Sequence, residues 1–200
     1  MTANVFWRLF KDKMDPKALY KDGRSYFEVY KDLTAFTELM NYHVIPEILS
    51  AEDGEVQQEY FRIDVVCWKS RWKEMELDAK AKKIDINPHL WDLKVAVEHE
   101  NSLTDWSDEV MKLIHIKCPL KVVIGYNHCD RRDEDEIEKL DFIARWMQEV
   151  KAFRYGEDEE YLLIIGNGIN KTTGKSDYID FGYRAYLYDR EMKRFQRISA

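Results

Sequence analysis

The segment that decides the fold is Trp91-Asp-Leu-Lys-Val-Ala-Val-Glu-His-Glu100. Its apolar residues alternate with polar ones, which is the pattern of a β-strand. The next residues, Asn101-Ser-Leu-Thr104, are of the types that cap helix N-termini, and an amphipathic helix is predicted after them. That helix leads through Pro119 into an apolar strand over residues 120–126. This succession of elements predicts a mixed α/β sandwich.

The rest of the chain repeats helical and strand patterns around this segment. Helical spacing is predicted over residues 5–49 and 137–150, strands over 59–68, 161–165, 178–188 and 194–198, and a ribbon or solvated helix over 69–83. We therefore predict one domain over residues 1–200, with a mixed central β-sheet flanked by helices. Its core covers about residues 38–126, and a C-terminal helix and strands follow over 137–198.

Composition limits the classes of function. The chain has 200 residues, 31 Lys and Arg against 38 Asp and Glu, and a formal net charge of −7. This balance argues against attachment to nucleic acid by overall positive charge, although a local basic patch is not excluded. No apolar run approaches the ~20 residues that cross a bilayer. The first residues do not read as a secretory signal, and three cysteines are too few for a disulfide framework, so we expect a cytoplasmic protein without a membrane partner.

Three acidic residues occur in or beside predicted strands. Asp64 interrupts an apolar strand, and Glu98 and Glu100 stand at the end of another. Because side chains alternate along a strand, Glu98 and Glu100 share one face and His99 points to the other. Adjacent carboxylates repel unless a cation lies between them or one takes a proton. An oxygen-rich pocket of this kind suits Mg²⁺ (or Mn²⁺) together with water and a substrate phosphate.

The order Asp64, then Glu98-His99-Glu100, then a helix and an apolar strand resembles the PD-(D/E)xK nuclease superfamily. The family core is a helix, a β-meander that carries the acids, a crossover helix and a further strand. The resemblance covers about half of the chain and implies a restriction-endonuclease-like core. It also implies a metal-dependent nuclease, in which Asp64 and Glu98 bind the metal ion and the backbone carbonyl of His99 often joins them.

The chain departs from the family pattern at two positions. Glu100 stands where the family usually has Lys, and Arg62-Ile63 precedes Asp64 where a Pro would be. Some restriction enzymes with Glu at the third position still cleave, and other members carry the lysine on a nearby helix, where Lys112 or Lys117 could serve. The resemblance implies these catalytic residues: Asp64, Glu98, Glu100 and Lys112.

Further residues are assigned around this site. Many family members add an acid from the first helix, and Glu47 is preferred here to Glu38. The implied metal ligands are Asp64, Glu98, Glu100 and Glu47. The basic residues Lys69, Arg71 and Lys73 are interleaved with tryptophans and could contact a phosphate backbone, while a solvated segment is an equally open interpretation. DNA is the expected partner by family association, and a homodimer is compatible with it.

Two other functions stay open. The first is a catalytically inactive nucleic-acid-binding module of the same fold. The second is a nucleotide-binding protein that uses the loop over residues 166–176, which ends in Gly174-Lys175-Ser176 like a phosphate-binding loop. The glycine spacing of this loop differs from a Walker A motif, and the residues after it alternate like a strand instead of opening a helix. The metal-dependent nuclease is therefore the preferred prediction.

Overall fold

The computed structural model describes residues 1–69, 72–84, 92–101, 106–127, 133–156, 158–170 and 172–199, with backbone only at 72, 73, 133 and 134. The strands of this part form one sheet. They are β1 (Glu55–Tyr60), β2 (Ile63–Trp68), β3 (Leu93–His99), β4 (Leu120–Asn127), β5 (Glu160–Asn167), β6 (Arg184–Asp189) and β7 (Arg194–Ile198). Their order in the sheet is their order in the sequence. The three central strands β3, β4 and β5 are parallel, and the other neighbours are antiparallel.

Helices cover both faces of this sheet. The helical segments of the described residues are α1 (Ala3–Lys13), α2 (Tyr26–Val29), α3 (Leu33–Leu39), a π-helical segment (Met40–Val44), α4 (Ile45–Leu49), α5 (Trp72–Ala81), α6 (Ser107–Ile114), α7 (Asp133–Glu149) and α8 (Lys151–Arg154). In the described part of the chain, none of them has both the length and the apolar character needed to cross a bilayer. The predicted mixed α/β sheet with flanking helices is confirmed.

Two apolar clusters lie on opposite faces of the sheet. Helices α1 to α4 pack on one face, for example through Phe36, against strand residues that include Val65 and Val97. Helices α6 to α8 pack on the other face, against residues that include Val66 and Ala96. Neighbouring residues of one strand thus enter different clusters, because side chains alternate along the strand. The result is a three-layer arrangement with the sheet in the middle.

The strand predicted over residues 59–68 is wrong in extent. It is a hairpin of β1 and β2, with a turn at Phe61 and Arg62 whose φ angles are 47° and 65°. Positive φ at both central residues matches the twist of a two-residue hairpin, but Gly, Asn or Asp are the usual residues there. Because Phe and Arg give no turn signal, the sequence pattern reads as one continuous strand.

Other boundaries also differ from the sequence patterns. The region over residues 5–49 is divided into several helices, and Pro46 falls in the first turn of α4, where its missing amide is tolerated. The strand predicted over 178–188 covers only Arg184–Asp189. Of the two alternatives for residues 69–83, the helix is confirmed as α5.

A close contact between α6 and β4 positions one layer. Trp106, the residue before α6, is buried. A Cβ built at Gly125 of β4 would lie 2.6 Å from the Cβ of Trp106. The glycine therefore lets the start of α6 approach the sheet closely, and it sets the height of α6 above β3 and β4.

Candidate active site

Asp64 and Glu98 face each other across two antiparallel strands. Val65 of β2 pairs with Val97 of β3, so the same register carried on by one residue places Asp64 opposite Glu98. Both have the strand parity of Val66 and Ala96, whose side chains face α6. The sequence-based expectation that these two acids lie together is met by this register.

The backbone and burial fix both carboxyl groups. Oδ2 of Asp64 accepts a hydrogen bond of 2.7 Å from the backbone N–H of His99. Glu98 is only 2 % exposed. Because the hydrogen bond comes from the residue next to Glu98, Asp64 is held toward the end of β3.

Helix α6 brings a cation to Glu98. The ammonium of Lys112 lies 2.8 Å from Oε1 of Glu98 and 2.5 Å from Oε2 of Glu109. It also donates a 2.8 Å hydrogen bond to the backbone carbonyl of Arg62, in the β1–β2 turn. Three oxygens from three different elements therefore surround one ammonium group.

The acids hold their protons more tightly than free carboxyl groups. Burial raises the pKa of Glu98 to about 8, against the lowering effect of Lys112 and with a further increase from the charge of Asp64. Burial also raises the pKa of Asp64 to about 6, against the lowering effect of the His99 N–H. For Lys112, burial lowers the pKa, but the carboxylates of Glu109 and Glu98 outweigh it and the net shift is upward. Buried carboxyls beside a cation are typical of functional sites and also of structural ion pairs.

Glu100 is separated from this pair. It lies one residue beyond β3, and its N–H donates a 2.9 Å hydrogen bond to the carbonyl of Ile124. Burial, and then the charge of Glu100, raise the pKa of Tyr30, which packs on the face opposite α6. Among the described residues, no three His, Cys, Asp or Glu side chains are gathered closely enough to hold a metal ion. The expected cluster of Asp64, Glu98 and Glu100 is therefore not preformed.

Glu47, the acid predicted from the first helices to bind the metal ion, lies away from Asp64 and Glu98. Glu47 of α4 pairs with Lys13 of α1 at the surface. Glu38, the less preferred choice, pairs with Lys21. Both belong to the layer that covers the face opposite α6, whereas Asp64 and Glu98 point toward α6. The assignment of Glu47 as a ligand beside them is corrected for this reason.

The described part of the predicted basic segment is distant from Asp64. Lys69 pairs with Asp92 at 3.0 Å. It is five residues along the chain from Asp64, or ~17 Å on an extended strand. Arg71 and the side chain of Lys73 lie outside the described residues.

The structure separates the two candidate lysines. Lys117, the alternative to Lys112, is 85 % exposed and lies 3.5 Å from Glu159, at the start of β5. Only Lys112 of these two contacts Glu98.

Glu109 and the carbonyl of Arg62 were not predicted. Glu109 could have been found from its spacing, because it lies three residues before Lys112 on the same helix. The Arg62 carbonyl has no sequence signal.

The described residues of the loop over 166–176, which are all but residue 171, contain a turn between strands. Asn170 and Lys175 form an isolated bridge, and Oδ1 of Asn170 accepts hydrogen bonds from the N–H groups of Thr172 and Thr173. Residues 177–183, all described, form no helix before β6. The loop therefore lacks the helix N-terminus on which phosphate-binding loops depend.

The acidic pair lies where the sheet changes its strand direction. Strand β3 pairs antiparallel with β2 and parallel with β4, and the pair stands near the carboxyl end of β3. Ligands of open α/β sheets commonly bind at the carboxyl ends of the parallel strands. Comparison of the chain with protein-family models, with curated proteins and with solved structures finds no match.

Proposed function

We propose that this protein is a metal-dependent nuclease that hydrolyses phosphodiester bonds, with DNA as the expected substrate. The observation that carries the proposal is the placement of Asp64 and Glu98 opposite each other, with Lys112 of the crossover helix on Glu98. Three antiparallel strands, a crossover helix and a parallel strand also follow the element order of the PD-(D/E)xK core.

The donor atoms fit a divalent ion. Mg²⁺ commonly binds through one or two carboxylates and completes its coordination with water and substrate phosphate. Asp64 and Glu98 would supply these carboxylates. When bound, the ion would polarise the scissile phosphate and lower the pKa of a bound water.

The remaining tasks belong to the side chains of this chain. The N–H of His99 holds the orientation of Asp64. Lys112 would orient the attacked phosphate or the attacking water through its positive charge.

The proposal is tested by incubating plasmid and single-stranded DNA with the protein and Mg²⁺ or Mn²⁺. We expect cleavage that EDTA abolishes and that Glu98→Gln lowers at least about 100-fold, the size usual for losing a group that handles charge or protons in the transition state. Glu149→Gln, on the exposed side of α7, is the matched control and should cleave like the wild type. Equal cleavage by Glu98→Gln and the wild type would overturn the assignment.

The second candidate is a non-catalytic nucleic-acid-binding module of this fold. It is favoured by one observation: in the described residues the acids are not gathered in a group of three. DNA binding that is unchanged by EDTA and by Glu98→Gln, without cleavage, would select this module over the nuclease.

A further inference from the structure

The ammonium of Lys112 occupies the position of a bound cation. Its oxygen neighbours, Glu98 Oε1, Glu109 Oε2 and the Arg62 carbonyl, lie 2.5 to 2.8 Å away. The two carboxylate oxygens are buried and have no hydrogen-bond partner in the described structure besides this ionic contact. Two carboxyl oxygens and a carbonyl that converge on one positive centre form a small oxygen cage.

A divalent ion held by Glu98 would compete with the ammonium for this cage. Mg²⁺ and Ca²⁺ bind oxygens at 2.0 to 2.6 Å, so an ion on Glu98 would lie within a few ångströms of the ammonium. Like charges at such a separation in a half-buried site repel strongly. Glu98 therefore cannot hold both cations at once in this arrangement.

We propose that the Lys112 ammonium and a divalent cation are alternative occupants of the oxygen cage formed by Glu98, Glu109 and the Arg62 carbonyl. Metal loading then expels the Lys112 side chain, which becomes available to a nucleic-acid phosphate. This inference rests on the proposed function and adds a mode of regulation, because the metal-free protein keeps its own site filled.

The geometry of Lys112 allows the exchange. Its side chain is 33 % exposed, so a path to solvent is open, whereas Glu98 is enclosed. A lysine side chain has four rotatable bonds and can move without a shift of α6. Expulsion would also separate Lys112 from Glu109, to which it is bound within the same helix.

Two measurements test the exchange. In the first, Mn²⁺ binding is titrated calorimetrically on the wild type, on Lys112→Met and on Lys117→Met, a matched lysine that also pairs with a glutamate. We expect Lys112→Met to bind Mn²⁺ at least about tenfold more tightly, because the competing charge is removed, and Lys117→Met to bind like the wild type. A lysine that contacts only substrate phosphate, away from the metal ligands, would leave the affinity for Mn²⁺ unchanged when it is replaced.

In the second measurement, wild-type lysines are acetylated with and without Mn²⁺ and quantified by peptide mass spectrometry. Modification of Lys112 should rise several-fold with Mn²⁺, while that of Lys117 stays constant. This measurement decides the question even if Lys112→Met does not fold.

The outcomes separate the two proposals. Mn²⁺ binding that is equal or weaker in Lys112→Met, with constant acetylation of Lys112, overturns the exchange and leaves the nuclease standing. Mn²⁺ binding to neither protein overturns both. Exchange without cleavage of any nucleic acid overturns the nuclease alone.

Discussion

Glu98 shows how the surroundings of one residue set its chemistry. The carboxyl group is enclosed between β3 and α6, with Asp64 on one side and Lys112 on the other. Burial and the neighbouring acid favour the protonated form, and the lysine favours the charged form. The first two effects prevail, so the folded protein retains a proton that the unfolded chain would release.

This retained proton predicts a pH-dependent stability in metal-free buffer. Between the ordinary pKa of Glu98, 4.5, and its folded value of about 8, the folded state binds more protons than the unfolded state. The contribution of Glu98 is therefore complete below pH 4.5 and is lost as the pH rises toward 8, with a slope of up to about 1.4 kcal/mol per pH unit. Urea denaturation with EDTA at several pH values should show a flatter profile for Glu98→Gln than for the wild type. Parallel profiles would contradict the raised pKa.

A second buried charge gives a prediction that is independent of the site. Lys121 of β4 is 1 % exposed, and its ammonium lies 2.5 Å from Oε2 of Glu159 and 2.8 Å from the hydroxyl of Tyr161. Lys121→Met would leave the Glu159 carboxylate buried without its closest cation, at a cost of about 3–5 kcal/mol. Chemical denaturation measures this loss.

The control for Lys121→Met is the double variant with Glu159→Gln. Because it removes both charges, it should recover a large part of the lost stability. A single variant within about 1 kcal/mol of the wild type would show that the pair is not tightly coupled, since breaking a buried pair costs more than this.

Sequence reasoning succeeds for residues whose position follows from strand alternation. Asp64 and Glu98 were expected to lie together, and strand parity is sufficient to place both on the α6 face. Glu109 depends on the rotation of α6 about its axis, and the Arg62 carbonyl depends on a turn that has no residue signal. These two groups required the three-dimensional packing of α6 on the hairpin.

At the scale of elements, α6 is held by its contact with β4. Gly125 and Trp106 approach so closely that a methyl group cannot be inserted between them without movement. Since α6 also carries Lys112 and Glu109, its height above the sheet determines where the ammonium lies. The glycine therefore acts on the candidate site from the opposite end of the helix.

Gly125→Ala should destabilise the protein by about 1–3 kcal/mol, the usual cost of overpacking a core. Thermal or chemical denaturation gives the value. In a Trp106→Gly background the same change should cost much less, because both the Cβ and the ring that the new methyl group would meet are absent. Equal costs in the two backgrounds would show that the contact does not position α6.

The elements differ in how far the sequence reveals them. Strands β4, β5 and β7 are buried apolar or alternating runs, and their predicted limits agree with the structure within a few residues. The β1–β2 hairpin was hidden because its turn residues are not turn formers. The first half of the strand predicted over 178–188 also alternates between apolar and polar residues. It does not pair with β5, because the pairing of β6 with β5 begins only at Arg184.

For the whole molecule, the central point is that one sheet belongs to both apolar clusters. Each strand from β2 to β6 contributes residues to both clusters. Loss of either helical layer therefore exposes the same strands. The order of elements was sufficient to predict the layers, but the nuclease-like assignment stays a proposal.

The shared sheet predicts a single cooperative unfolding transition for residues 1–200. Phe36→Ala, on one face, and Leu113→Ala, on the other, should each lower the midpoint of unfolding. For each variant, the midpoint measured by far-UV circular dichroism should equal the midpoint measured by tryptophan fluorescence. Separate midpoints for the two signals would indicate two independently folding units.

The sequential strand order has a consequence for folding during synthesis. As the chain is synthesised, each new strand finds its neighbour already made, so the sheet can grow by one edge strand at a time. Helix α1 is the exception, because the N–H of Ala3 donates to the carboxylate of Glu160 on β5. Helix α1 is therefore synthesised first but can make this native contact only after β5 has been synthesised.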